Sequence, residues 1–388
     1  MTIKKFYILC AALFCFMAVS AQQNVSVSSP DGKLKFLLKI TPETVSYEVN
    51  YKKQLLVENS LLGFSFDNGE FGSNLKTGKV RRKSIDETYE LVVGKVSSAR
   101  NHCNEMIVPL QEKEAPGRLI NLVVRAFNDG VAFRYEFPEQ EGWNSYVMYD
   151  EKTQFRLNGN PMALLMYLPG YINTHEGVYT HTEYDKIAKK RLIEMPVTLE
   201  FDNGIYMSIT EAAVRNYAGM YLVKEKNGFA GKLSPRLGQE KIKVEINEFP
   251  HRTPWRVLSV ADRVGGLLET NILTSLNEPC KIEDTSWIKP CRTTFTWWNG
   301  NVVPDSTFSP GNNFETNKYY IDFAARNGLD AHGIYGYAET PWYYDDNFNF
   351  GWAGPNADIT RPIPCLNMQR IVEYAKSKGV GIHLWVHW

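Results

Sequence analysis

Leu119-Ile120-Asn121-Leu122-Val123-Val124-Arg125-Ala126-Phe127-Asn128-Asp129-Gly130-Val131-Ala132-Phe133-Arg134-Tyr135-Glu136-Phe137 decides the fold class of most of this chain. β-Branched and aromatic residues fill both halves, with a period near two. Asn128-Asp129-Gly130 supplies the turn chemistry between them. The segment therefore predicts two strands joined as a hairpin. The same grammar extends in both directions. Upstream, Val25 to Ser29 leads through Pro30-Asp31-Gly32 to Lys35–Ile40, and Val45–Tyr51 follows. Downstream, Val197–Phe201, Asp202-Asn203-Gly204, Tyr206–Thr210 and Ile242–Ile246 repeat the pattern. Short punctuated strands over this span predict a large β-sandwich across residues 22–287.

After Trp287 the pattern changes. Thr293–Trp298 reads as a buried strand, and Asn312 with Glu315 three places on reads as a capping box. A helix is expected to run from there to about Asn327 and stop at Gly328. Ala331–Tyr337 reads as a second strand. Met368, Ile371, Val372 and Ala375 fall at i, i+3, i+4 and i+7 of a second helix that Gly379 ends. Val380–Val386 reads as a third strand. Strand–helix–strand–helix–strand means parallel strands joined by right-handed crossovers. That order opens either a closed barrel or an open doubly wound sheet, and no Gly-rich phosphate loop follows the first strand to favour the latter. A (β/α)8 barrel needs eight strands and about 250 residues. Residues 288–388 are therefore read as the N-terminal part of such a barrel, incomplete after its third strand.

The chain has 388 residues, 44% of them apolar, with 43 basic and 43 acidic side chains. Balanced charge gives no electrostatic case for nucleic acid or an anionic membrane. Lys4-Lys5, the apolar run Phe6–Val19 and Val19-Ser20-Ala21 together predict a secretory signal peptide over residues 1–21, hence a periplasmic or secreted protein. The run is too short to span a membrane as a helix. Of the cysteines beyond it, Cys103, Cys280, Cys291 and Cys365 match no zinc spacing. They read as scattered buried thiols, with a Cys280–Cys291 disulfide left open. Aromatic residues make up 13% of the chain. Sugar-binding surfaces are rich in such rings, and so are β-rich cores.

Several segments in order resemble glycoside hydrolase family 97, a family of exo-acting α-glycosidases. They are Arg100-Asn101-His102-Cys103-Asn104-Glu105, Phe127–Phe137, Glu211-Ala212-Ala213, Tyr217-Ala218-Gly219-Met220, Thr253-Pro254-Trp255-Arg256, Trp297-Trp298, Tyr320–Ala325 and Trp385-Val386-His387-Trp388. The resemblance implies a super-β-sandwich, a catalytic barrel and hydrolysis of terminal α-linked galactosides or glucosides in an oligosaccharide. It also implies an active-site calcium ion with Glu176 as the ligand given by the sandwich, in Asn173–Tyr179. The third strand ends Val386-His387-Trp388. With Asn299-Gly300-Asn301, Asp305 and Asn312–Lys318, that ending resembles the retaining branch rather than the inverting one. In the family's plan the nucleophile and the acid/base follow later strands, so no catalytic carboxylate is expected within residues 1–388.

Candidate substrate-binding residues sit where barrel strands end. Trp298 can stack on a sugar face or pack internally. Asn299 can bond hydroxyls. Glu339 can touch substrate or serve as a loop carboxylate bonded to aromatic neighbours. His387 can bond a hydroxyl or carboxylate, or be a satisfied core histidine. Asp345-Asp346 reads as solvated and Glu211 as structural. The competing function is a non-catalytic carbohydrate-binding β-sandwich.

Overall fold

The computed structural model describes residues 22–304, 307–336, 340–349 and 353–386. Residues 1–21, read above as a signal peptide, and Asp305, Glu339, His387 and Trp388 lie outside them. The chain divides into two compact units, Met1–Lys281 and Ile282–Trp388.

The first unit is built on two large antiparallel sheets. One runs in the order Gln23–Ser28, Leu34–Ile40, Val45–Tyr51, Gln54–Leu62, Gln154–Leu157, Gly228–Leu233, Met220–Glu225, Leu192–Ile193 and Tyr167–Leu168. The centre of the other holds Val197–Glu200, Tyr206–Ala212, Trp255–Ala261, Gly130–Phe137, Leu119–Phe127 and Ser98–Glu112. The expected hairpin is present, with Phe127 opposite Gly130 and Asn121 opposite Glu136. Gly130 cannot carry a side chain, because a Cβ would lie 2.5 Å from the Leu258 carbonyl oxygen.

Alternation then sorts the side chains. Leu122, Val124, Val131 and Phe133 point into the main core with Phe36 and Tyr47 of the facing sheet. The Tyr47 and Phe133 ring centroids are 5.0 Å apart and tilted, a favourable aromatic contact. Val123, Phe127, Ala132, Trp255 and Val257 belong to the opposite face of the second sheet, where Ile272 and Leu276 of a short helix cover part of it.

The second unit holds a parallel sheet in the order Thr293–Thr294, Ala331–Ile334, Gly381–Leu384. Two helices connect the strands. Asn313, not Asn312, caps the first, Phe314–Arg326, its side chain accepting the Thr316 N–H. Asn312 instead donates to the Thr340 carbonyl at 3.1 Å. Gly328 and Gly379 take positive φ just past the two helices, as their sequence positions require. In the second helix, Met368–Ser377, Ile371 and Ala375 are buried but Val372 is exposed.

Two expectations are corrected. The first strand stops at Thr294, because Thr296–Asn299 winds into a 3-10 turn that left-handed Gly300 closes by donating to the Thr296 and Trp297 carbonyls. Trp297 and Trp298 are therefore exposed rather than in a buried strand. The third strand also carries exposed positions, Leu384 among them, whereas the central Ala331–Ile334 strand is wholly buried. Of the four cysteines only Cys103 is buried. Cys291 is a free thiol, so the Cys280–Cys291 bridge is not formed. Among the described residues no helix is long and apolar enough to cross a membrane.

Candidate functional site

The carboxyl ends of parallel strands are where αβ sheets gather ligands. In the second unit that position holds an aromatic cluster. The Phe295 ring lies 4.4 Å from Tyr335 and 5.4 Å from Trp298, the latter edge to face. The Tyr335 hydroxyl donates to the Thr294 carbonyl at 3.3 Å. Trp298 is 77% exposed, so its ring is open to a flat apolar partner. Asn299 Oδ1 beside it lies 3.4 Å from the Tyr320 hydroxyl, whose one proton goes to the Val302 carbonyl at 2.5 Å. A groove of about 220 Å3 opens next to Asn299, walled by Phe295, Val302, Tyr319, Tyr320 and Phe323. That is small against the roughly 300–1,000 Å3 of ordinary ligand pockets. It suits one ring rather than an extended chain.

Beneath this rim lies a histidine that the motifs did not single out. His332 is buried and stacked under Tyr320 at 5.9 Å. Its Nε2 lies 2.9 Å from Asn317 Oδ1, and Asn317 Nδ2 donates to the Asn313 carbonyl at 2.7 Å, which fixes the amide's orientation. Its Nδ1 lies 2.7 Å from Thr294 Oγ1, and that oxygen accepts the Gly333 N–H. The ring is thus the Nε2–H tautomer, donating to Asn317 and accepting from Thr294. Burial pushes its pKa down to about 4. A neutral ring with both nitrogens engaged holds the first two strands and the helix in register. It has no lone pair or proton left for catalysis.

Asp322, Asp345 and Asp346 of the second unit are occupied structurally. Asp322 accepts from Tyr374 and Lys318, and its pKa is lowered: burial would raise it, but these bonds outweigh burial. Asp345 accepts from the backbone of Asn347 and Gly354, and Asp346, which is exposed as expected, accepts from Asn356, so the loop acids brace the loop. Among the described residues of this unit no two of these acids stand as a free opposed pair.

Glu176 sits exposed on the 169–179 loop of the first unit. Its neighbour His175 is in the left-handed region and pairs with Glu194. Calcium takes six to eight oxygen ligands. Among the described residues no three Asp, Glu, His or Cys side chains gather as a metal site. They do not by themselves form the calcium site that the resemblance implies, so no chemical step is drawn through that ion. Millimolar calcium is expected to move the chain's melting temperature by less than about 1 °C. A rise of several degrees that Glu176→Gln removes would contradict this.

The strongest electrostatic feature is in the sandwich interior. Arg256, fully buried, donates to Glu151 through Nε at 2.8 Å and Nη2 at 2.6 Å, and to Glu211 through Nη1 at 2.6 Å. Thr153 and Tyr217 also donate to Glu151, each at 2.8 Å, and the Met220 N–H donates to Glu211 at 3.0 Å. Burial works against both charges, but the two acids respond differently. Arg256 overrides burial at Glu151, whose pKa is lowered, while burial prevails at Glu211, whose pKa is raised. Glu211 is structural, as its strand context suggested. Three of the sequence segments quoted above, around Glu211, Tyr217 and Arg256, meet in this one network.

Known proteins place these observations. A model described as "Glycosyl-hydrolase 97 N-terminal" matches residues 27–279, and one described as "Glycoside hydrolase 97" matches residues 297–388. A retaining alpha-galactosidase of Bacteroides thetaiotaomicron is 28% identical over 412 residues, covering 98% of this chain and 58% of the relative. A probable retaining alpha-galactosidase of Streptomyces bingchenggensis is 26% identical, covering 98% and 56%. The chain thus spans somewhat more than half the length of these curated relatives. A glycoside hydrolase family 97 enzyme from Pseudoalteromonas sp. strain K8, solved with acarbose, superposes with a TM-score of 0.82 at 28% identity, over 92% of this chain and 53% of that one. A structure of such an enzyme from the same strain with panose gives the same values. Matches to both units, in order and over nearly all of residues 22–388, leave one conclusion: the chain belongs to glycoside hydrolase family 97.

Proposed function

We propose that this chain belongs to a glycosidase acting on terminal α-linked sugars, with galactosides favoured over glucosides, and that it seats the sugar ring on Trp298 beside Asn299. The observation that carries this is the open Trp298 ring at the carboxyl end of the first parallel strand, backed by Phe295 and Tyr335. An apolar sugar face packs on such a ring, and an adjacent amide can bond its hydroxyls. The two retaining alpha-galactosidase relatives support a galactoside and a retaining course. The acarbose and panose complexes support recognition of α-linked glucose-like rings in the family.

Retention needs two carboxyls about 5 Å apart, inversion about 6.5–9.5 Å. Glu151 and Glu211, which do come together among the described residues, are spent on Arg256, so the acid pair is assigned outside them. Residues 288–388 are read as the opening of a (β/α)8 barrel, which the parallel three-strand order supports. The Lys4–Ala21 leader supports export to the periplasm or beyond.

Calorimetric titration with methyl α-galactoside, methyl α-glucoside and methyl β-galactoside tests the seat. The α-galactoside is expected to bind best. Trp298→Ala is expected to weaken it about tenfold, the loss of one aromatic face. Equal affinity for all three sugars, or an unaffected Trp298→Ala variant, would refute the assignment.

A further inference from the structure

The outer face of the second sheet holds a positive charge with no partner. By strand alternation Glu105, Arg125, Arg134, Glu136 and Trp255 share this face. Trp255 is fully buried, and the Arg134 and Arg125 guanidinium carbons lie 4.3 and 5.0 Å from its ring centroid. Such stacking orients a guanidinium without neutralising it.

The charges that face Arg134 are Arg125, Arg252, Glu105 and Glu136. Both acids are already engaged. Glu105 takes Arg125 at 2.8 Å and Lys83 at 3.2 Å, and Glu136 takes Arg252 at 3.0 Å and Asn121 at 3.3 Å. Four cations thus stand against two anions, and Arg134 is the one without a carboxylate among the described residues. Its Nε–H is buried with no acceptor, and so is the Trp255 Nε1–H. Burial, then repulsion from Arg252 and Arg125, pulls the Arg134 pKa down to about 10. An oxyanion at the solvent-reachable end of the fork would answer the charge that no carboxylate answers. Arg134 is only partly exposed, which leaves a guanidinium reachable from solvent yet poorly hydrated.

We propose that Arg134, held on Trp255, is an oxyanion-binding site that takes the sulfate or carboxylate group of an acidic sugar. The site is remote in sequence from Trp298 and belongs to the other unit. Its existence does not depend on a sugar seating there.

Titrating the full chain with sodium sulfate and with sodium glucuronate, at ionic strength held constant by sodium chloride, tests it. Glucose is the neutral control. Saturable binding of at least one anion is expected, with none for glucose. Arg134→Gln should weaken it about tenfold or more, the usual loss for a hydrogen bond to a charged group. If that variant fails to fold, Arg134→Lys decides, because it keeps the charge and loses the fork. Binding that either folded variant leaves unchanged would overturn the proposal. So would no saturable binding, or glucose binding as well as the anions. Sulfate alone or glucuronate alone would each support it and name the group.

Discussion

Replacing Arg256 by methionine is expected to cost about 3–5 kcal/mol of stability, or to prevent the sandwich from folding, because it strands Glu151 in a dry interior and Glu211 at its edge. Arg256 is the shared partner of Glu151 and Glu211, and Glu151 is almost completely buried. The order of effects distinguishes this network from simple packing. Glu151→Gln should approach the methionine variant, since it leaves Arg256 underneutralised where water cannot reach. Glu211→Gln should cost clearly less, about 1–2 kcal/mol, because Glu211 is partly exposed and burial already favours its neutral form. Urea unfolding followed by tryptophan fluorescence measures all three. Equal small losses would show that the triad is not what holds the interior together there.

The second large effect is acid sensitivity of the parallel unit. His332 is neutral when folded, with its pKa pushed down to about 4 against 6.5 for an ordinary histidine. Above pH 6.5 both folded and unfolded chains carry it neutral, and it contributes no pH dependence. As pH falls from 6.5 to 4 only the unfolded chain takes up the proton, so the folded state loses ground. The loss reaches about 3 kcal/mol near pH 4 and then levels off. Hydrogen exchange of the Ala331–Ile334 amides, corrected for intrinsic rates, should show protection falling more than about 100-fold across that window. His332→Gln should be less protected at pH 7, where it loses the bond to Thr294 or to Asn317. Its pH dependence across the window should be much flatter. A variant that keeps the wild-type slope would assign the acid sensitivity to other groups.

The hairpin at Leu119–Phe137 was legible because strand alternation and Asn128-Asp129-Gly130 are local signals, and the two strands pair across that turn. The two helices and their glycine stops were legible for the same reason, with the cap displaced by one residue from Asn312 to Asn313. Trp297-Trp298 misled. Both residues favour strands, but Gly300 in the left-handed region lets the chain turn back before them as a 3-10 segment. The sandwich triad was invisible as a triad. Glu151 and Glu211 lie 105 and 45 residues from Arg256, and no periodicity links them. Glu211 and Arg256 stood in motif segments, but Glu151 stood in none. His332 gave no signal at all, since a lone histidine in a short strand has no spacing to read. Arg134 lay inside the hairpin in plain view, but only the fold shows that neighbouring acids are taken by other cations.

One sample measures both halves of the functional proposal. Proton NMR of the chain with methyl α-galactoside reports seating by saturation transfer onto the sugar and cleavage by the growth of free galactose. Transfer that Trp298→Ala weakens markedly, with no free galactose accumulating, is the expected result. Transfer that Trp298→Ala leaves unchanged, or galactose released steadily by these 388 residues, would contradict it.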